Sequence, residues 1–585
     1  MAAADDTGVA GFGRRFFGAE QTFTRIGAGE LGGKAAGLQL IRDRILPGIE
    51  AGEFPGFEVA VPTLTVLTTE LFDRFMEHNR LHEIALGGGP DDRIAHAFQR
   101  GELPAVHVGD LRALIQGVQS PLAVRSSSLL EDALAHPFAG VYGTKMIPNN
   151  QPDADTRFRR LVEAIKYVYA STFFRAARSY HRSVGQDTRN EKMAVIIQEV
   201  VGERRGERFY PHISAVARSY NYYPSGRAAP EEGVVSLALG LGRQIVDGGL
   251  SWTYCPAHPQ APPPYKHIGD LLKNTQTEFW AVHMGKPPLP DPIRETEYLV
   301  RAGLAEAEYD DALRFSVSTY DAGSDRLRPG LHGAGPRLLN FAPILAGGLL
   351  PLNELLRRLL AESERAVGAA VELEFALVLD RRAGLPARLG FLQARPMMVM
   401  ADEIALGPEE MEGEGVLLAS EQVLGNGVRE DLEDIVYVKP ETFESRQTSR
   451  IALELEGFNR DLQAAGRPYA LIGFGRWGSS DPWLGIPVEW GQISEARVLV
   501  EATLPEMNPD LSQGSHFFHN LIGFGVLYLS VRHQRGYAID WDWLARQEVV
   551  GEGAFVRRVR ARRPLIVKVD GRRGRGVIRH DRSSD

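Results

Sequence analysis

A single cysteine, Cys255, is present in the whole chain. No disulfide can close within it and a thiol-rich metal site is excluded, which points to a reducing, cytoplasmic setting. Long apolar runs are also missing. The most apolar segment, Leu349 to Leu360, is interrupted by Pro351, Asn353, Glu354, Arg357 and Arg358, so it reads as a helix with one buried face and not as a membrane span. The N-terminus, Met-Ala-Ala-Ala-Asp-Asp-Thr, places acids where a secretory signal carries basic residues. No fixed-period repeat occurs, which argues against a solenoid. The net charge of −9 argues against wholesale nucleic-acid binding.

What is present is ordinary globular composition, 44% hydrophobic and 24% charged over 585 residues, too long for one core. Two to four domains are expected. The charge is uneven. From Val556 onward the chain carries Arg557, Arg558, Arg560, Arg562, Arg563, Lys568, Arg572, Arg573 and Arg575. This reads either as a polyanion-binding patch or as an exposed hairpin, with Pro564-Leu-Ile-Val as a strand, Asp570-Gly571 as the turn and Gly576-Val-Ile as the return. With no aromatic residue interleaved to stack on bases, the hairpin is favoured.

Residues 20–190 alternate helical and strand-like stretches. A helix is expected near Leu38 to Asp43, a strand over Val59 to Leu67, and one long amphipathic helix from Arg157 to Arg182, with Phe158, Leu161, Ile165, Val168 and Phe173 at helical spacing. Residues 191–400 are strand-rich, with buried-type runs at Met193–Gln198, Ile213–Ala217 and Val234–Leu239. A segment rich in proline and charge, about 256–335, reads as an insertion with some helix. A third unit, 401–585, opens on an acidic run (Glu403, Glu409, Glu410, Glu412, Glu414) that suits a solvated linker.

The densest chemistry lies in Pro121-Leu-Ala-Val-Arg-Ser-Ser-Ser-Leu-Leu-Glu-Asp132, followed by His136-Pro-Phe-Ala-Gly140 and Thr144. A fixed cation, hydroxyl donors and closely approachable backbone are what a polyphosphate site needs. Upstream is Leu31-Gly-Gly-Lys-Ala-Ala-Gly-Leu38; downstream are Val371-Glu-Leu-Glu-Phe375 and Phe391-Leu-Gln-Ala-Arg-Pro396. Alternation would set Glu372 and Glu374 on one face of their strand and Gln393 and Arg395 on one face of theirs, with Arg381–Pro386 as the turn between, so that the four groups converge if the strands pair. Such a platform offers hard oxygen ligands for Mg²⁺, with phosphates completing its shell. Taken singly, each residue has a plainer reading: Lys34 at a helix start, Arg125 capping a buried carboxylate, the two glutamates on a solvated face, Gln198 a satisfied core amide.

Together, and in this order, the motifs resemble the nucleotide-binding domain of the pyruvate phosphate dikinase and phosphoenolpyruvate synthase family, over roughly the first two-thirds of the chain. The resemblance implies an ATP-grasp-type, two-lobed α/β (α+β) module followed by a smaller α/β C-terminal domain. It implies that Lys34 and Arg125 contact ATP phosphates, with Arg395 beside them. Glu374 and Gln393 would support Mg²⁺, and Gly140 and Thr144 would belong to a phosphate-covering loop. Gln198 and Glu199 would face the adenine. Glu372, counted with the ATP-binding residues, stands where the family usually has Asp, and Arg243 replaces the acid in a Gly-Leu-Gly-Glu motif that here begins at Gly240. Neither the family's Thr-Ser-His-Ala segment nor room for a barrel after residue 400 is found, which puts pyruvate in doubt as acceptor.

Two further segments remain: Gly473-Phe-Gly-Arg-Trp-Gly-Ser-Ser-Asp-Pro-Trp-Leu-Gly-Ile-Pro487 and Ser512-Gln-Gly-Ser-His-Phe-Phe-His519. Arg476, Ser479, Asp481, His516 and His519 form a possible phosphoacceptor site, His516 taking a phosphoryl group or acting as a base. The alternative makes the aromatics core and the histidines structural. The expectation is an ATP- and Mg²⁺-dependent phosphotransferase with an unidentified acceptor, oligomeric state open. An ATP-binding regulatory sensor without transfer activity is the alternative.

Overall fold

The computed structural model of the chain describes residues 8–14, 22–50, 52–132, 140–222, 224, 226–261, 267–379, 386–399, 404–479, 481, 483–505, 517, 521, 524–533 and 537–580. It is a mixed α/β structure. The chain divides into two compact units, one of Met1–Ser219, Val234–Ile245 and Ser251–Pro396, the other of Tyr220–Gly233, Val246–Leu250 and Met397–Asp585. Among the described residues no helix is long and apolar enough to cross a membrane.

Two six-stranded sheets organise the first unit. The first runs in the order Ala10–Gly11, Phe23–Ile26, Leu64–Leu67, Met193–Glu199, Leu122–Ser128, Thr144–Ile147. The second runs Trp252–Tyr254, Val234–Ala238, Ile213–Arg218, Val371–Val378, Ala387–Pro396, Phe57–Ala60. The strands are short and β-branched, and most are buried on both faces, which is why they read as continuous apolar runs. Helix Leu352–Val367 buries Leu352, Leu355, Leu356, Leu359 and Leu360 against the second sheet's core, the spacing of one helical face.

Several expectations give way here. The boundary at 190/191 falls just before Met193–Glu199, yet that strand lies in the first sheet, hydrogen-bonded antiparallel on both sides. The strand expected over Val59 to Leu67 is two strands in two sheets, broken at Val61-Pro-Thr63 because proline cannot donate to a ladder. The helix near Leu38 begins earlier, at Gly33, and ends at Leu40 before a π turn over Ile41–Ile45.

The long helix is also two. Asp153 caps Ala154–Ser171 by accepting from Asp155 N at 3.0 Å and Thr156 N at 2.8 Å, and a second helix spans Arg175–Ser183. Ser171 Oγ donates to Val168 O at 2.7 Å and accepts from Gly143 N at 2.9 Å, and the break turns Phe173 into a cluster with Phe72 and Phe98. The segment 256–335 carries the helix expected of it, Ile268–Lys273 and Leu304–Tyr309, but also strands that its sequence did not announce. Glu278–His283 and Leu299–Gly303 join Arg208–Tyr210 and Glu203–Arg205 in a four-stranded sheet, and Val317–Asp321, Arg326–Pro329 and Arg337–Leu339 form another. Phe279 and Ala281, two apart and fully buried, carry the strand period that the surrounding prolines obscure.

The second unit is built on a nine-stranded mixed sheet. Gly427–Val438, Tyr469–Phe474, Ala496–Ala502 and Leu527–Val531 run parallel in that order, with helix Thr448–Ala464 crossing between the first two. Val556–Asp570 and Arg575–Arg579 form the hairpin expected of the arginine-rich tail. Its charges are largely paired within the unit: Arg557 with Glu552, Lys568 with Glu410, and Arg558 and Arg560 with Asp434. The acidic run is not a solvated spacer throughout, because Leu406 and Met411 pack against Ala419 and Val577.

Asp434 is the electrostatic centre of this unit, 1% exposed and met by Arg467 at 2.6 Å, Arg558 at 2.8 Å and Arg560 at 3.5 Å. Removing the carboxylate strands Arg558 and Arg560 and leaves Arg467 only Glu433, a far larger loss than that of an exposed pair such as Arg446–Glu444. Asp434→Ala is expected to destabilise the second unit by about 3–5 kcal/mol. A chemical-denaturation midpoint unchanged from the parent would contradict this.

Candidate functional site

Two glycines place Lys34. Gly32, at φ 77°, precedes helix Gly33–Leu40, and a Cβ there would stand 1.7 Å from Ser127 O. A Cβ on Gly37 would stand 2.7 Å from Ala394 O, so this helix lies directly on the strand that carries Gln393 and Arg395. Ser127 Oγ clasps the helix start, donating to Leu31 O at 2.8 Å and accepting from Ala35 N at 3.0 Å. Lys34 Nζ then reaches Glu131 Oε1 at 2.6 Å and Ser126 Oγ at 3.1 Å.

Arg125 sits on Leu122–Ser128 of the first sheet but directs two of its three hydrogen bonds to the second. Its Nη1 donates to Leu392 O at 2.8 Å and to Gln198 Oε1 at 3.3 Å, and its Nη2 to Gln393 Oε1 at 2.9 Å. A β-bulge makes this possible. Glu374 pairs with Gln393 and Phe375 with Phe391, so Leu392 has no partner across that ladder and its carbonyl turns to the guanidinium.

Cross-strand register builds the rest. Arg218, Glu372 and Arg395 lie in one row over three strands, with Val216, Glu374 and Gln393 in the next. Glu372, 1% exposed, is held by Arg218 at 2.6 Å and by both Nε and Nη2 of Arg395. The residue expected at the nucleotide is thus committed to a buried ion-paired triad. Glu374 is half-buried, and among the described residues no hydrogen bond or ion pair engages its carboxylate. Gln393 is fixed in one amide orientation, its oxygen on Arg125 and its Nε2 on Asp132 Oδ1 and Oδ2 at 2.8 and 2.9 Å. Burial pushes the Asp132 carboxyl up to about 6, against the pull of Arg395 and Lys34.

The structure therefore brings Lys34, Arg125, Gln198, Glu372, Glu374, Gln393 and Arg395 into one cluster. Thr144 stands directly across the ladder from Arg125, half-buried. Glu199 accepts from Ser120 Oγ at 2.6 Å, one residue beyond Gln198, which is 1% exposed and whose Nε2 has no partner among the described residues. Gly140 is exposed, with φ 66°. His136 to Ala139, most of the expected Arg381–Pro386 turn, His516 and His519 lie outside the described residues. Arg218, Glu131 and Asp132 were given no role by the sequence. Arg218 carried a signal, a lone cation closing the apolar strand Ile213–Arg218.

The possible acceptor site differs from expectation. Arg476 is 4% exposed and its Nη1 donates to Gly248 O at 2.5 Å, so it does not stand open to an anion. Ser479 and Asp481 close a local turn, Asp481 N donating to Ser479 Oγ at 3.2 Å and Trp483 N to Asp481 Oδ1 at 2.9 Å. Trp477 is core, its N–H held by Glu501 Oε1 at 2.8 Å.

Among the described residues no group of three or more His, Cys, Asp or Glu could hold a metal ion by itself. The donor set that does fit a hard cation is the unengaged Glu374 carboxylate beside the Gln393 amide oxygen, with ligand oxygens needed to complete the shell.

Beside Ser128, at the end of strand Leu122–Ser128, lies a buried triad. Tyr142 OH donates to Glu191 Oε2 at 2.7 Å and lies 2.8 Å from His181 Nε2. Burial, tempered by the tyrosine hydrogen bond, holds Glu191 up at about 7, and burial holds His181 down at about 4. For Glu191 the folded chain binds the proton more tightly than the unfolded one. Its contribution therefore falls as pH rises from 4.5 to 7. Glu191→Gln should gain stability relative to the parent across that window, by about 2 kcal/mol above it, with no difference at lower pH; thermal melts at stepped pH read this directly. Gly32→Ala, which must move Ser127, is expected to lose about 2 kcal/mol or more, visible in the same melts.

Residues 28–415 match the family model for the pyruvate phosphate dikinase AMP/ATP-binding domain. A phosphoenolpyruvate synthase from Aeropyrum pernix is 28% identical over 238 residues, covering 35% of this chain and 27% of that protein. The matched part is thus little more than a quarter of the relative's length.

Proposed function

The chain belongs to the pyruvate phosphate dikinase AMP/ATP-binding domain family, and from that premise we propose that its first unit is an ATP-grasp-type module, two lobes clasping Mg-ATP for phosphotransfer. The triphosphate lies against Lys34, Arg125 and Arg395, with Gly140 and Thr144 at its cover. The adenine lies near Gln198, whose buried Nε2, without a partner among the described residues, is a donor waiting for an acceptor. Glu374 and Gln393 would hold the magnesium, which when bound neutralises charge on the transferred phosphoryl group.

One observation carries this reading: a single guanidinium, Arg125, joins the serine-rich strand of one sheet to Gln393 of the other, beside Lys34 and Arg395. Preorganised cations at that junction need no rearrangement as charge develops, which is how phosphoryl-transfer sites work. Glu372 enters as a positioning group for Arg395 and not as a ligand.

The product is a phosphoryl or pyrophosphoryl group on an internal histidine, His516 or His519, or on a separate acceptor. Nucleotide sensing without transfer is the second reading. It is favoured by the way Arg476, Ser479 and Asp481 are engaged by backbone groups of other residues.

Incubation with Mg-ATP, followed by intact mass and ³¹P spectra, separates the two. Transfer yields a phosphoenzyme or released AMP or ADP, whereas sensing leaves the nucleotide whole. Arg125→Ala and Glu374→Gln are expected to lower turnover by about a hundredfold or more. Parent-like turnover in both variants would end the assignment.

A further inference from the structure

The cradle balances its charge before any nucleotide arrives. Lys34, Arg125, Arg218 and Arg395 are its cations, and Glu131, Asp132, Glu372 and Glu374 its carboxyls. A triphosphate is strongly anionic even with magnesium bound. For it to enter a buried site already neutral, one of these four anions must give way or be taken up by the metal.

They are not equally free to do so. Glu131 is held by Lys34 at 2.6 Å, by Ser126 Oγ at 2.9 Å and by Ser128 N at 2.9 Å. Glu372 is locked between Arg218 and Arg395. Glu374 is the carboxylate open to a cation. Asp132 is different from all three: among the described residues its side-chain hydrogen-bond partner is the neutral Gln393 amide, and the nearest ion-pair contact is Arg395 at 4.0 Å. Its backbone sits in the left-handed region at φ 61°, which Asp and Asn tolerate better than other residues with a Cβ. It is therefore the buried anion with the weakest hold.

Its position is also informative. Gln393 Oε1 faces Arg125 and cannot turn away without losing a charged donor, so Nε2 must find an acceptor on the Asp132 side. Asp132 supplies two oxygens there, in front of Arg395. An acceptor-only, negatively charged group between a primary amide and a guanidinium is what a phosphate oxygen pair would be.

We propose that Asp132 is a positioning residue that stands in for a phosphate group, keeping Gln393 and Arg395 aligned in the nucleotide-free chain and leaving when a nucleoside triphosphate takes its place. This rests on the reading of the cradle as an ATP site and adds how that site is held ready when empty. Asp132 competes with the ligand, so its charge weakens binding while its hydrogen bonds preserve the geometry.

Asp132→Asn separates these two effects, because asparagine keeps the left-handed backbone and an acceptor for Gln393 but removes the charge. Titration calorimetry with ATP in EDTA, and with adenosine as control, reads the result without turnover. The expectation is ATP binding about tenfold tighter than in the parent, with adenosine unchanged. Asp132→Gly, which also accepts this φ but removes the acceptor along with the charge, should tighten ATP less than Asp132→Asn, with melts run on both. ATP affinity equal to or weaker than the parent's in both variants overturns the inference. A parent that binds no ATP under any metal condition instead defeats the nucleotide reading itself, which keeps the two failures distinct.

Discussion

The first unit depends on one guanidinium bridging two sheets. Arg125 is anchored in a ladder on both sides of its own strand, yet its three hydrogen bonds to acceptors on other strands include two on the bulged strand of the second sheet. A guanidinium is the side chain suited to this, since it is permanently charged and offers planar donors in fixed directions. Withdraw it and the Leu392 carbonyl loses a donor, the Gln393 amide loses its orientation, and the two sheets lose a polar link.

Around that link the ions are arranged in alternation. The row Arg218, Glu372, Arg395 places opposite charges directly across three strands, where they stabilise a register and stay buried without an uncompensated charge. The price of this neutrality is that an incoming anion finds no idle cation. Lys34, Arg125 and Arg395 are each engaged, and the site's readiness comes from preformed geometry more than from unspent positive charge.

Much of the cluster was legible because strand alternation is local. Two residues apart on a strand means one face, so Glu372 with Glu374 and Gln393 with Arg395 could be grouped from spacing alone. What alternation cannot reveal is the partner strand. Nothing local announces that Ile213–Arg218 lies beside Val371–Val378, and so the buried row that sets Glu372 between Arg218 and Arg395 could not be read. The bulge at Leu392 was hidden for the same reason, since it exists only relative to the ladder it interrupts. Helix periodicity from Arg157 to Arg182 ran straight through a break that Ser171 and its contact to Gly143 impose.

Sequence by itself determined the strand and helix types, the paired faces, the arginine-rich hairpin and the residues worth gathering, because each follows from near-neighbour periodicity and side-chain chemistry. Tertiary structure alone decided which charges neutralise one another. It set Asp132 in front of Arg395, sent Arg476 to a backbone carbonyl and surrounded Asp434 with three arginines. Those outcomes turn on distances across the fold, and Coulomb energy in a buried site varies with separation and desolvation in ways that order along a chain does not encode.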